Sequence, residues 1–172
     1  MCRIYFSEKQ NFSQKWILFI VVLLPAIWLW GAIQQIIIGK DFGNQPVSDQ
    51  VLLLLGLIAF LPMLLLLSFK MITEVRKDGV YYKMPPFFKF RKIKKDEIKS
   101  WHIRSYDPIR EYAGWGIRSS VQSKKGKAYN VKGETGLQIE MQSGKKILIG
   151  TQKPGDLHEA MQKIAPDKVF SY

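Results

Sequence analysis

Two long uncharged apolar stretches constrain this sequence more than any other feature. Residues 16–38 read WILFIVVLLPAIWLWGAIQQIII, and residues 51–69 read VLLLLGLIAFLPMLLLLSF. As helices they would be roughly 34 and 28 Å long, against a hydrocarbon core of about 30 Å. A signal peptide has a shorter apolar region, and a helix in a soluble core keeps a solvated stripe, so neither alternative fits. The sequence predicts a two-helix transmembrane hairpin.

The charges around these stretches predict the orientation of the hairpin. Three basic residues precede the first span, and the connecting loop, residues 39–50, carries Lys40 against Asp41 and Asp49. The region after the second span is rich in Lys and Arg. By the positive-inside rule both termini are cytoplasmic and the loop is outside. We therefore predict a multi-pass protein of the inner (cytoplasmic) cell membrane, with residues 1–15 as a cytoplasmic segment.

The chain after the second span has the pattern of a basic β domain. Residues 70–172 hold 22 Lys and Arg against 11 Asp and Glu, so they carry +11 of the net charge of +12. Short runs rich in β-branched and aromatic residues alternate with Gly, Pro, Asn and Asp, which is typical of antiparallel strands joined by tight turns. Seven strands are predicted, in the runs KMITEVRK, VYYKM, EIKSWHIRSY, WGIRSSV, KAYNV, GLQIEM and KKILIGT.

The end of the chain changes from strand to helix periodicity. In GLQIEM the apolar residues alternate with Gln and Glu, so we expect one face of the sheet to be core and the other to be solvated. The stretch TQKPGDLHEAMQKIA then places Leu157, Met161 and Ile164 on one helical face, and Pro166 ends it. One amphipathic C-terminal helix is predicted to cover an open end of the sheets.

This order of elements resembles a known fold. Seven short antiparallel strands followed by one helix are similar to the pleckstrin-homology-like (PH-like) fold. The stretch GETGLQIEMQSGKKILIGTQKPGDLHEAMQKI resembles the C-terminal half of bacterial PH-like domains, which often follow two membrane helices. The spacing YAGWGIR…AYNVKGETGLQIEM is similar to a family of uncharacterised bacterial membrane proteins. The resemblance covers about residues 74–164. It implies a PH-like domain over residues 70–166, as a partly open barrel or sandwich capped by the helix, and a tail over residues 167–172.

The residues that catalysis requires are sparse. No HExxH, GxSxG, Walker or GxGxxG pattern occurs. The single cysteine, Cys2, allows no disulfide or cysteine metal site within one chain. His102 lies on a predicted strand, where we expect a hydrogen-bonded sheet histidine, and His158 lies on the exposed side of the last helix, where we expect it to be solvated. We predict that the protein is not an enzyme and has no catalytic residue, cofactor or metal.

The stretch EYAGWGIRSS, residues 111–120, is a candidate contact for a ligand or partner. The glycines on both sides of Trp115 favour a bend, with Trp115 buried as a core anchor. Arg118 follows the bend, where it is placed to bind Glu111 or an anionic ligand. The candidate contact residues are Glu111, Trp115 and Arg118.

The basic run KFRKIKKDEIK begins about twenty residues after the second span. Such a run is commonly a solvated face, yet each Lys or Arg near an anionic leaflet contributes on the order of 1 kcal/mol. The overlapping segment PPFFKF, residues 85–90, is either a loop that enters the core or an aromatic loop that dips into the membrane interface. The candidate membrane-surface contacts are Lys89, Arg91, Lys92, Lys94 and Lys95.

Binding is therefore favoured over catalysis. We predict a membrane-anchored, non-catalytic domain that binds or scaffolds a protein partner, the anionic cytoplasmic leaflet, or both. The expected partners are the lipid bilayer, anionic headgroups bound non-specifically, and an unidentified membrane or cytoplasmic protein, including a second copy of this chain. Nucleic acid is not expected.

The alternative is a small membrane enzyme, or a transport or assembly accessory factor, with a site in residues 107–118. That alternative requires Arg118, Glu111, His102 and Tyr129 to converge in one pocket with perturbed pKa values.

Overall fold

The computed structural model of this protein describes residues 3–12, 15–120 and 125–170. The chain forms two compact units. Residues 13–68 make a helical unit, and residues 1–12 together with 69–172 make a β unit. The β unit is therefore assembled from chain segments on both sides of the helical one.

The helical unit contains two long apolar helices. α1 spans Lys15–Ala32 and continues as a π-helical turn over Ile33–Ile37, and α2 spans Asp49–Ser68. Both are long and apolar enough to cross a membrane, by length and composition. Only 11% of the most apolar window of each helix is buried within the protein. Their apolar side chains therefore face outward along most of both helices.

Trp28 joins the two helices. Its indole Nε1 donates to the backbone oxygen of Leu52 over 2.7 Å. Its ring lies against Gly56, where a Cβ would approach it to 2.5 Å. The glycine thus makes room for the tryptophan, as small residues do where helices pack closely in membranes.

The first sheet, sheet A, has the strand order β1-β2-β3-β4, and all of its pairs are antiparallel. β1 precedes the helical unit, yet it pairs with β2 along its length, from Ile4↔Arg76 to Asn11↔Lys70. The sequence analysis predicted neither β1 nor β4, which are the two edge strands. The strands are β1 Ile4–Asn11, β2 Lys70–Arg76, β3 Gly79–Met84 and β4 Phe88–Lys94.

The second sheet, sheet B, has the order β5-β8-β9-β7-β6. β7 and β9 are parallel, and the other pairs are antiparallel. All seven predicted strands are present, as β2, β3 and β5 to β9, and the two sheets do not close into a barrel. The strands are β5 Ile98–Ser105, β6 Gly116–Ser119, β7 Lys127–Asn130, β8 Thr135–Met141 and β9 Lys146–Gly150.

Short helices complete the β unit. α3, Pro108–Tyr112, lies between β5 and β6, and the predicted C-terminal helix is present as α4, Pro154–Ile164. Single 3₁₀ turns cover Lys95–Glu97 and Pro166–Lys168. The apolar face of α4 is buried in the main core, as its helical spacing predicted.

The main core takes side chains from both sheets and from α4. Trp101 is fully buried there, and its indole Nε1 donates to the backbone oxygen of Ala165 over 2.8 Å. The expectation that the opposite face of sheet B would be solvated is only partly correct. Leu148 on that face is fully buried, in a second cluster with Tyr106, Tyr112 and Ala128. Tyr106 and Tyr112, which cover Leu148, follow β5 in the segment that contains α3. The alternation of apolar and polar residues along a strand gives no information about this segment.

Candidate functional site

The stretch from Asp107 to Gly116 makes a capped helix followed by a bend. The Asp107 carboxylate accepts hydrogen bonds from the backbone N–H groups of Ile109 and Arg110, both over 2.9 Å, so it caps α3. The backbone then has φ of 57° at Ala113, 121° at Gly114 and 106° at Gly116. Glycine adopts such positive values without steric cost, which confirms the predicted bend.

Trp115 does not anchor the core. Its side chain is only half-buried, and the fully buried tryptophan of the domain is Trp101. The indole Nε1 of Trp115 is nonetheless enclosed and has no hydrogen-bond partner among the described residues. The expectation of a core anchor at Trp115 is therefore wrong.

Arg118 and Glu111 do not pair with each other. The Arg118 side chain is exposed, and its Nε donates to the backbone oxygen of Trp115 over 3.1 Å. Glu111 is bound instead by the Nη2 of Arg104 over 2.9 Å and the Nζ of Lys125 over 3.0 Å. Burial acts to raise the pKa of Glu111, but the hydrogen bonds from Arg104 and Lys125 outweigh it and lower the pKa to about 2.

The other two residues of the enzyme alternative are Tyr129, in the main core, and His102, whose ring packs near that of Phe170. Tyr129 lies in the main core, and its hydroxyl accepts from the Nη1 of Arg91 over 3.1 Å. The His102 ring lies 5.3 Å from the Phe170 ring, and burial followed by the positive charge of Arg104 lowers its pKa. Among the described residues no group of three or more His, Cys, Asp or Glu is placed to hold a metal ion.

The five predicted membrane-surface residues divide into two groups. Arg91 is turned toward Tyr129, and Lys92 is bound by Asp78, so both are engaged within the domain. The hydrogen bond from Lys92 is the main reason why the pKa of Asp78 falls to about 2. The other three side chains are exposed, and within the described part of the chain none of them forms an ion pair. These three are Lys89, Lys94 and Lys95.

The segment PPFFKF enters the core with one of its aromatic rings and exposes two others. The Phe88 ring packs inward, 5.6 Å from the Tyr129 ring and 5.9 Å from the Tyr82 ring. Phe87 and Phe90 point outward, with 53% and 43% of their surfaces exposed. The neighbouring side chains enclose a depression of about 580 Å³, which we call the Phe87 surface. It is lined by Lys83, Pro85, Pro86, Phe87, Phe88, Lys89 and Phe90.

The Phe87 surface lies next to the residues at which the chain enters and leaves the apolar helices. Phe69 directly follows α2, and its ring is 4.6 Å from the Phe87 ring and 6.2 Å from the Phe12 ring. The backbone N–H of Lys70 also donates to the oxygen of Pro85 over 3.5 Å. The sequence analysis did not include Phe12, Phe69 or Lys83 in the site. The available signal was that Phe12 and Phe69 flank the apolar segment on its two sides.

The comparisons with known proteins identify a family. No curated protein and no solved structure matches this chain. One family model, described as a family of unknown function (DUF6141), matches residues 2–166. The match includes β1, both apolar helices, both sheets and α4. The chain therefore belongs to DUF6141, a family of unknown function.

Proposed function

We propose that this protein is a membrane-anchored, non-catalytic domain that contacts the anionic cytoplasmic leaflet through the Phe87 surface and serves as a scaffold for a protein partner. We propose further that the β unit is a PH-like domain. The antiparallel order β1-β2-β3-β4, the second sheet and the terminal helix α4 support that assignment.

The pairing of β1 with β2 supports a hairpin topology. Asn11 lies four residues before α1, Lys70 lies two residues after α2, and the two are partners in the sheet. The apolar segment therefore leaves the β unit and returns to it at the same place. If it enters a bilayer, it crosses an even number of times. The excess of Lys and Arg in the β unit favours the cytoplasmic side of the inner membrane.

The single observation that carries the lipid contact is the exposed Phe87, whose ring packs at a tilt against Phe69. Phe87 is 53% exposed, so moving it into the interface removes about half of its side chain from water, which is worth about 1 kcal/mol. Lys83 and Lys89 add on the order of 1 kcal/mol each near anionic lipid. Together these contributions are too small to hold a free protein at a membrane. They suffice for a domain tethered at Phe69, because the tether makes its encounter with the lipid intramolecular and gives a high effective concentration.

The outward face of sheet A supports the scaffold role. The guanidinium carbon of Arg76 lies 4.5 Å from the centroid of the Tyr81 ring and 5.7 Å from that of Phe90. Arginine and aromatic residues are enriched in protein interfaces. A partner, including a second copy of this chain, would find these groups already ordered. The enzyme or accessory-factor alternative draws less support, because Glu111 and Asp107 are both engaged in holding α3.

A fluorescent label at position 87 tests the lipid contact. In the full chain carrying Cys2→Ala, Phe87→Cys is labelled with an environment-sensitive dye and reconstituted into vesicles of phosphatidylcholine and phosphatidylglycerol. We expect blue-shifted emission and quenching by lipids with brominated acyl chains, because the dye enters the interface. Lys83→Gln with Lys89→Gln should reduce that quenching, and so should high salt.

The matched control is Lys77→Cys in the same background. Lys77 is exposed in the β2–β3 turn, at the other end of β2, about 23 Å away for seven residues of strand. Its dye should emit as in water. If the dyes at positions 87 and 77 respond alike, the Phe87 surface does not contact lipid and the proposal fails.

A further inference from the structure

A second cavity lies in the β unit, formed by a different set of residues from the Phe87 surface. It has a volume of about 380 Å³, and we call it the lysine cavity. Three lysines line it, Lys127 on one side and Lys145 and Lys146 on the other. The parallel pairing of β7 with β9, in which Lys127 lies opposite Ile147, brings them close together. The lining includes Gly126, Lys127, Tyr129, Lys145, Lys146 and Ile147.

A glycine permits the close approach that shapes this cavity. Gly126 has φ of 76°, and a Cβ built on it would lie 1.9 Å from the backbone oxygen of Lys146. No side chain fits at that position. The start of β7 can therefore reach the start of β9, which places Lys127 beside Lys145 and Lys146.

The charges around the lysine cavity are poorly compensated. The described lining residues include three lysines and no carboxylate. Lys146 reaches Glu140 over 3.6 Å, but Glu140 is held more closely by Lys99 over 2.8 Å. Lys127 and Lys145 form no ion pair within residues 3–12, 15–120 and 125–170. Like charges held together favour the binding of an anion, because the anion relieves their repulsion.

The floor of the cavity is well packed beneath Tyr129 and partly apolar. Ile147 and Tyr129 form it, and Tyr129 is only 2% exposed. The Tyr129 ring packs 4.9 Å from the Tyr82 ring, and its hydroxyl accepts from Arg91. Arg91 therefore adds a fourth positive charge close to the floor. A bound molecule would meet cations at the rim and an apolar surface beneath them.

We infer that the lysine cavity binds a phosphate-bearing group. Phosphate suits three ammonium groups because it carries more than one negative charge and several acceptor oxygens. A volume of about 380 Å³ is at the small end of the usual range for ligand sites, which fits a phosphate ester of modest size. A phospholipid headgroup and a soluble phosphate share this chemistry, so the test must separate the two sources.

The test uses the full chain in a zwitterionic detergent. Inorganic pyrophosphate and dihexanoyl phosphatidic acid are titrated separately by calorimetry, and the same samples are treated with acetic anhydride to map protected lysines by mass spectrometry. We expect at least one of the two probes to bind and to protect Lys127 and Lys145 from acetylation. The double variant Lys127→Gln with Lys145→Gln should weaken binding at least tenfold. Both lysines are exposed, so these changes spare the core.

The matched control removes the same charge elsewhere. Lys132→Gln with Lys163→Gln replaces two exposed lysines that lie outside the cavity and outside the Phe87 surface. Binding to this control should stay within twofold of the unaltered protein. Binding of pyrophosphate alone identifies a soluble ligand, binding of the short-chain lipid alone identifies a headgroup, and binding of both supports the shared chemistry.

Two results overturn the inference. One is that neither probe binds. The other is that both double variants weaken binding equally, which would show a general effect of net charge. The dye experiment at position 87 does not involve these lysines, so failure of the lysine cavity and failure of the lipid contact are distinguishable.

Discussion

Glu111 shows how one carboxylate organises the outer surface of sheet B. It connects Arg104 on β5, Lys125 before β7 and the backbone N–H of Asp107 at the start of α3. Only 17% of its side-chain surface is exposed, so these hydrogen bonds are shielded from water. Its role is therefore to fix α3 over the second cluster.

The pKa of Glu111 makes this contribution dependent on pH. Its folded value of about 2 is below the ordinary value of 4.5, so the stabilisation is present above pH 4.5 and is lost as the pH falls toward 2. We expect Glu111→Gln to lower the free energy of unfolding by about 1–2 kcal/mol at pH 7. The difference from the unaltered protein should shrink between pH 4.5 and 3 in thermal unfolding of the detergent-solubilised chain.

Glu134→Gln is the control for this experiment, because Glu134 is exposed. It should change stability little at any pH. A Glu111→Gln effect of the same size at pH 7 and pH 3 would contradict the assigned role.

The partner of Glu111 could not be read from the sequence. The spacing in the sequence favoured Arg118 as the partner of Glu111. In the structure the partner is Arg104, which lies near the end of β5 and reaches the Glu111 carboxylate. The bend at Gly114 and Gly116 was predictable, because glycine there reflects backbone sterics that depend on few neighbours. An ion pair depends on the paths of two strands, which local spacing does not report.

The N-terminal strand β1 is the element that sequence periodicity missed. Its inward positions are Phe6, Glu8 and Gln10, of which only the first is apolar. The Glu8 carboxylate accepts from the Oγ1 of Thr151 over 2.6 Å and from the backbone N–H of Gln152 over 2.8 Å. Polar residues at inward positions remove the alternation of apolar and polar residues on which strand prediction depends. In β1 the inward Glu8 instead binds the loop between β9 and α4.

A double-mutant cycle tests this connection. Glu8→Ala and Thr151→Val each remove one side of the hydrogen bond, and we expect each to lower the free energy of unfolding by about 1–3 kcal/mol. Their combined effect should differ from the sum by about 0.5–3 kcal/mol, because the two groups are in contact. The measurement is thermal unfolding of the full chain.

Lys9→Ala with Thr151→Val provides the additive reference. Lys9 is the next residue on β1 but faces outward and is exposed. Strict additivity in the Glu8–Thr151 cycle would show that β1 is not held to that loop.

The edge strand β4 was missed for a related reason. Of its seven residues FKFRKIK, only Ile93 is fully buried, and the remaining ones are exposed or half-buried. A strand at the edge of a sheet needs few apolar side chains, and lysines there discourage pairing with other chains. The basic composition that suggested a solvated run is therefore compatible with a strand.

For the whole molecule, the two apolar helices and seven of the nine described strands were predictable from composition and period. The order of the strands was not, because sheet A joins segments from both sides of the helical unit. The proposed topology follows from that join. Whatever membrane the helices enter, β1 and β2 must lie on one side of it.

Cysteine accessibility tests this topology. In the Cys2→Ala chain, Asn44→Cys in the loop between the helices should react with a membrane-impermeant maleimide in intact cells. Ser7→Cys on β1 and Lys77→Cys after β2 should react only after permeabilisation, because the two strands pair with each other and the proposed orientation places both in the cytoplasm. Labelling positions 7 and 77 from opposite sides would contradict the pairing, and labelling both from outside would reverse the proposed orientation.

The pairing of β1 with β2 also imposes an order on synthesis. Asn11 and its partner Lys70 are 59 residues apart, so β1 leaves the ribosome well before the strand it needs. At about 5–20 residues per second, the delay is roughly 3–12 s. During that interval residues 4–11 are an unpaired edge with Phe6 uncovered, while both helices are still being made. Sheet A can therefore form completely only after the second helix has been synthesised. A chain with a folded β unit is then one in which both apolar helices have already been made.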